Sequence, residues 1–133
     1  MLSKIEGKRL MTDDKCLCKP TDVLIFPCSG GSNVGQIANE AAKELTNVGY
    51  GKMYCLAGIG GHISGIIEST KATKRIIAID GCPVACAKNT LEHAGFTVDK
   101  HVVVTELDIK KESGFDMNSK QINKVVEKIK RWS

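Results

Sequence analysis

No apolar run in this sequence approaches the roughly 18–20 residues that cross a bilayer, so a helical membrane anchor is not expected. The opening stretch, MLSKIEGKRLMTDDK, lacks the apolar centre of a signal peptide, and the expected compartment is the cytoplasm. No charge sign dominates either. Nineteen basic residues against fifteen acidic ones leave a net charge of +4. The basic residues thicken only between Lys120 and Arg131, where they read as the solvated face of a helix, so neither nucleic acid nor a membrane is an expected partner. Internal repeats, linkers and low-complexity tracts are also missing. At 133 residues the chain has room for one domain with a real core.

Cysteine, by contrast, is plentiful: six in 133 residues. Regular strand–helix alternation over the rest of the chain needs no disulfide staples. In a reducing compartment such cysteines bind metal or do redox chemistry more often than they cross-link. Two of them, Cys16 and Cys18, fall in a polar, irregular arm covering residues 1–20, ahead of a domain at 21–133. A Cys-x-Cys pair can chelate a soft metal, so both are secondary metal candidates; the arm has no periodic apolar face and is expected to be dispensable for folding.

The domain reads as four strand–helix units. Asp22 to Phe26 is an apolar strand ended by Pro27. A glycine-rich turn from Cys28 to Gly35 leads into a helix whose buried face is Val34, Ile37, Ala38, Ala41, Ala42 and Leu45, stopped at Gly49. Gly51 to Leu56 is a second strand, followed by a flexible turn over 57–62 and a short helix marked by Ile63, Ile66 and Ile67. Arg75 to Ala94, RIIAIDGCPVACAKNTLEHA, holds the third strand and third helix, with Cys82 expected as N-cap and Pro83 as first helical residue. His101 to Leu107 is a fourth strand. A polar loop over 108–117 precedes a last helix with apolar positions Ile122, Val125, Val126 and Ile129, a capping box at Asn118 and Gln121, and Trp132 as a clamp. The predicted architecture is a three-layer α/β/α domain on a mostly parallel four-stranded sheet, flavodoxin- or Rossmann-like, with strand order 2-1-3-4.

The turn after the first strand matches none of the usual phosphate loops. A dinucleotide fingerprint starting at Gly30 needs glycine where Ser32 stands, and a Walker loop from Gly30 to Gly35 needs lysine where Gln36 stands. A phosphatase-type loop needs arginine in place of Val34. The backbone of Ser29, Gly30, Gly31 and Ser32 remains a candidate anion turn, and Gly30 and Gly31 are expected to be required for carrying Cys28 toward Cys82.

Parallel strands put all their carboxyl ends on one edge, where ligands bind. Cys28 follows strand one, Cys55 lies near the end of strand two, and Cys82 and Cys86 follow strand three. Three strand ends thus deliver four thiols to one rim. Four thiolates suit tetrahedral zinc and also suit an iron–sulfur cluster. The spacing differs from paired Cys-x-x-Cys knuckles and does not by itself name the metal. His62 could replace one thiol as ligand, and Asp80 could hold the helix start or orient a ligand. His93 and His101 are expected to lie toward the opposite edge and to be structural.

Three segments, PCSGGSNVGQIANEAA, MYCLAGIGGHISGI and AIDGCPVACAKNTLEHAGF, resemble the DGC-domain family, whose name reflects the motif that is here Asp80-Gly81-Cys82. The resemblance runs from about Asp22 to Leu107. It implies a zinc-binding protein in which Cys28, Cys55, Cys82 and Cys86 are the shared cysteines, and it implies no substrate and no reaction. Two classes of function follow. One is a metal-binding protein that uses zinc for structure, sensing or delivery. The other is a thiol-dependent redox or sulfur- or metalloid-handling enzyme, which needs an open coordination position or a free reactive thiol.

Overall fold

A computed structural model describes residues 22–132. The arm at 1–20, with Cys16 and Cys18, lies outside the described residues. The elements run β1 (Val23–Pro27), α1 (Asn33–Asn47), β2 (Lys52–Met53), α2 (Leu56–Gly60), α3 (Ser64–Lys71), β3 (Arg75–Asp80), α4 (Cys86–His93), β4 (Lys100–Val103), a 3-10 turn (Val104–Leu107) and α5 (Ser119–Lys130). The sheet order is β2-β1-β3-β4 with every pair parallel, so the expected 2-1-3-4 order is the observed one.

Period-two alternation sends successive residues of β1 and β3 to opposite faces. Ile25, Ile77 and Ile79 join α1 and α5 in one core, built on Ile37, Ala41, Leu45, Val125 and Ile129. Leu24, Phe26, Ile76 and Ala78 face the other way and pack with Ile59 of α2 and with Ala87 and Leu91 of α4. Both faces of the two central strands are therefore covered, which is why these strands read as continuous apolar runs. Trp132 packs on the first core, with the ammonium groups of Lys100 and Lys128 at 5.1 and 5.9 Å from its ring centre. The capping box is present in both directions: Gln121 N donates to Asn118 Oδ1 at 2.9 Å, and Asn118 N donates to Gln121 Oε1 at 3.1 Å.

Three boundaries differ from the sequence reading. The second strand is only two residues long. Tyr54 N still donates to Ile25 O, but Cys55 already stands at the N-cap of α2, so the expected flexible turn is a short helix. Packing accompanies this: Gly58 lies so close to Ile66 of α3 that a Cβ there would collide with its Cδ1, which seats the segment against α3. The fourth strand ends at Val103 because β3 ends at its partner, Asp80. Beyond that point Thr105 N donates to Gly81 O and the chain turns into the 3-10 segment. The third helix starts at Cys86, one turn later than expected.

The glycines that matter are not the expected ones. A Cβ at Gly31 would meet nothing within 4 Å, and one at Gly30 would touch Cys28 Sγ at an ordinary 3.7 Å. The left-handed residue of this turn is Ser29, at φ 51°. Close approach occurs instead at Gly35 and Gly81. A Cβ at Gly35 would fall on the Gly30 carbonyl, and one at Gly81 would lie 2.7 Å from Gly35 N and 2.8 Å from Val34 C. The start of α1 thus packs backbone to backbone on the end of β3. Gly81→Ala should lower stability by about 1–3 kcal/mol, because neither backbone can give way, whereas Gly31→Ala should fall within about 0.5 kcal/mol of the parent chain. Urea unfolding of the two variants checks this; equal losses would contradict it.

Candidate functional site

The site is built on Asp80, the last residue of β3, which is buried at 1% exposure. Its Oδ1 accepts from Ala87 N at 2.7 Å, and its Oδ2 accepts from Lys88 N at 3.1 Å. These are amides of the first turn of α4. The N-cap residue itself, Ala85, sits in the left-handed region at φ 57° and has no side chain able to cap. A carboxylate five residues upstream performs that task, satisfying orphan amides and meeting the positive end of the helix dipole. Cys82 is therefore not the N-cap, nor Pro83 the first helical residue. Ala85 N donates to Cys82 O, so Cys82–Ala85 form a turn in which Pro83 takes the second position, where a fixed φ is favoured.

Asp80 Oδ2 also lies 2.8 Å from His101 Nε2. The expectation that His101 falls toward the far edge is thereby corrected: its ring reaches back from β4 to the same carboxylate. No short motif marks this contact, but β4 pairs in register with β3 two residues before Asp80, which places the two side chains within reach.

Cys28 follows β1 and extends its ladder by one bond, from Cys28 N to Ile79 O at 2.9 Å. The sulfur accepts from Gly81 N at 3.4 Å. Burial pushes the Cys28 thiol above its ordinary value, and the charges of Asp80 and Cys86 add to the rise; the Gly81 and Gly30 amides pull the other way without reversing it. Cys82 Sγ has the Lys111 ammonium at 3.6 Å. Lys111 is held there by an amide clamp that sequence reasoning missed. Asn33, buried at the start of α1, donates from Nδ2 to Lys110 O at 2.8 Å and accepts at Oδ1 from Glu112 N at 2.6 Å. That clamp draws the polar loop onto α1.

Cys28, Cys82 and Cys86 line one pocket of about 280 Å³, together with Asp80, Lys111 and the Gly30–Ser32 turn. Cys86 is exposed and all four described cysteines are free. Cys55 is exposed and does not line this pocket. His62 lines a different hollow beside α4. The structure thus gathers three of the four expected thiols. Among the described residues, no three of His, Cys, Asp and Glu are grouped as a metal-holding set. As placed, the thiols surround a cavity and do not form a closed coordination shell. In the candidate anion turn Ser32 N donates to Gly30 O, Gly35 N to Ser32 Oγ, and the Gln36 side chain to the carbonyls of Ser29 and Gly30.

Comparison with known proteins decides the lineage. The model of the DGC domain matches residues 24–129. The chain belongs to the DGC-domain family. It is 32% identical over 108 residues to the "Anaerobic and virulence modulator AnvM" of Pseudomonas aeruginosa, covering 81% of this chain and 82% of that protein. No solved structure matches. No helix among the described residues is long and apolar enough to cross a membrane. The letters of the DGC motif now have separate physical duties in this chain. Asp80 starts α4 and binds His101. Gly81 lets α1 approach and gives its amide to Cys28. Cys82 supplies a pocket thiol.

Asp80→Ala should cost about 1–3 kcal/mol, because it strands the buried amide of Ala87; urea unfolding against the parent chain measures it, and a change under about 0.5 kcal/mol would contradict the capping role. Cys28 should alkylate more slowly than Cys86 at neutral pH, with its rate still climbing above its ordinary value of 9.0, as read by mass spectrometry of peptides after timed iodoacetamide exposure. The linkage has a definite sign. A raised folded value leaves the stability contribution intact below 9.0 and removes it as pH rises through the folded value, so alkaline loss of stability should be smaller in Cys28→Ala.

Proposed function

We propose that this DGC-domain protein is a thiol-dependent modulator whose working site is the Cys28–Cys82–Cys86 pocket. The observation that carries this reading is the convergence of three free cysteines on one cavity, in unequal settings: Cys28 and Cys82 half-buried, the second against Lys111, and Cys86 exposed. Such a set suits stepwise thiol exchange. Cys86 meets an incoming small disulfide first. Its thiolate attacks one sulfur, forming a mixed disulfide and releasing one small thiolate. Cys82, brought back toward Cys86 by the turn over 82–85, then attacks the mixed disulfide and releases the second. The net change is oxidation of two protein thiols to one disulfide and reduction of the small disulfide to two thiols. Cys28 lines the same pocket, and its partial burial pushes its thiol above the ordinary value. The relative's name describes an anaerobic and virulence modulator, and a reversible thiol pair is chemistry suited to a modulator.

Zinc is the second reading, favoured by the same three sulfurs facing one space. It requires those side chains to move together and a fourth donor to join them.

The test is mass spectrometry of the full chain exposed to glutathione disulfide under argon, with metal measured on the same untreated sample. The proposal predicts a glutathione adduct first on Cys86, then an internal Cys82–Cys86 bridge, with Cys82→Ser trapping the adduct. Equal adducts on Cys55 and Cys86 with no bridge would overturn it. Stoichiometric zinc that is lost in both Cys82→Ser and Cys86→Ser would favour the metal reading instead.

A further inference from the structure

Two histidines take no part in the thiol pocket. His62 follows α2, and His93 ends α4; the two helices pack against each other. Their rings stand 6.3 Å apart between centres, with planes inclined by 55°. Both face one hollow of about 350 Å³, whose wall includes Asn89 and Thr90. Neither ring hydrogen-bonds to another described residue. His62 also adopts a left-handed backbone at φ 55°, a conformation that side chains other than glycine's rarely take. Two backbone bonds hold it there, His62 N to Ile59 O at 3.1 Å and Ile63 N to Gly58 O at 2.9 Å.

We propose that His62 and His93 form a two-nitrogen site for a divalent transition-metal ion of the zinc class, separate from the thiol pocket. Imidazole is a preferred donor for such ions. A ligating nitrogen lies about 2.1 Å from zinc and its ring centre roughly 1.1 Å further, so two rings on one ion can have centres up to about 6.4 Å apart, and about 5.2 Å apart at a tetrahedral angle. The observed separation is at the edge of that range. Closure by about one ångström needs only rotation of two exposed side chains, which is fast. Two protein donors leave the remaining positions to water. The helix-to-helix packing of α2 on α4 fixes the two backbones, so binding one ion by both rings requires little further ordering.

The probe is zinc ion alone, added stepwise to the full chain and followed through the imidazole proton resonances. The chain has three histidines, which report two places. His101 touches Asp80 and senses the thiol pocket; His62 and His93 sense the proposed site. The proposal expects His62 and His93 to shift together on one saturable curve that is distinct from any change at His101. In His62→Asn, which keeps a residue tolerant of positive φ, the His93 response should weaken by about tenfold or more, and His93→Gln should weaken His62 likewise, with unchanged melting in both. Independent curves for the two rings, a single variant that leaves its partner's affinity unchanged, or no shift at either ring would overturn it.

Discussion

One carboxylate holds this site together. Asp80 is almost fully buried, and such a charge is costly unless its oxygens are paired. Here they accept from two helix amides and face a histidine ring. The amides belong to α4 and the ring to β4, so a single side chain at the end of β3 fixes where α4 starts and binds β4 to the same point. The thiols inherit their positions from that choice. Cys82 lies in the turn forced by a late helix start, and Cys86 is the first residue of the helix that Asp80 caps.

The second constraint is steric. Gly81 and Gly35 let the ends of β3 and α1 touch through their backbones, and that contact sets the depth at which Cys28 meets the Gly81 amide. Cys28 is consequently a half-buried thiol whose titration is pushed upward by desolvation, in a pocket with the half-buried Cys82 and the exposed Cys86. The proposed thiol exchange rests on this unequal exposure within one pocket. The Asn33 clamp completes the wall by bringing Lys111 to Cys82.

The architecture was legible because its signals are strong. Continuous apolar runs such as Ile76–Ile79 require strands covered on both faces, and the apolar spacing in α1 and α5 matches the buried residues closely. The convergence of Cys28, Cys82 and Cys86 followed from parallel topology alone. Cys55 did not join them because strand two stops early and a helix begins there, with a contact between Gly58 and Ile66 that no periodicity announces. The start of α4 was misplaced for a related reason. Pro83 is equally at home in a first helical turn and in the second position of a β-turn, and only the long-range reach of Asp80 to Ala87 and Lys88 separates the two. His101 reads as an ordinary strand residue until register sets it beside that carboxylate.

Amide hydrogen exchange at Ala87 and Lys88, compared between the parent chain and Asp80→Ala, tests the central claim most directly. If the carboxylate starts α4 and thereby shapes the thiol pocket, both amides are strongly protected in the parent and lose that protection in the variant while the β1–β3 ladder keeps its own. Unchanged protection at Ala87 and Lys88 would show that the helix starts there without Asp80 and would contradict the account.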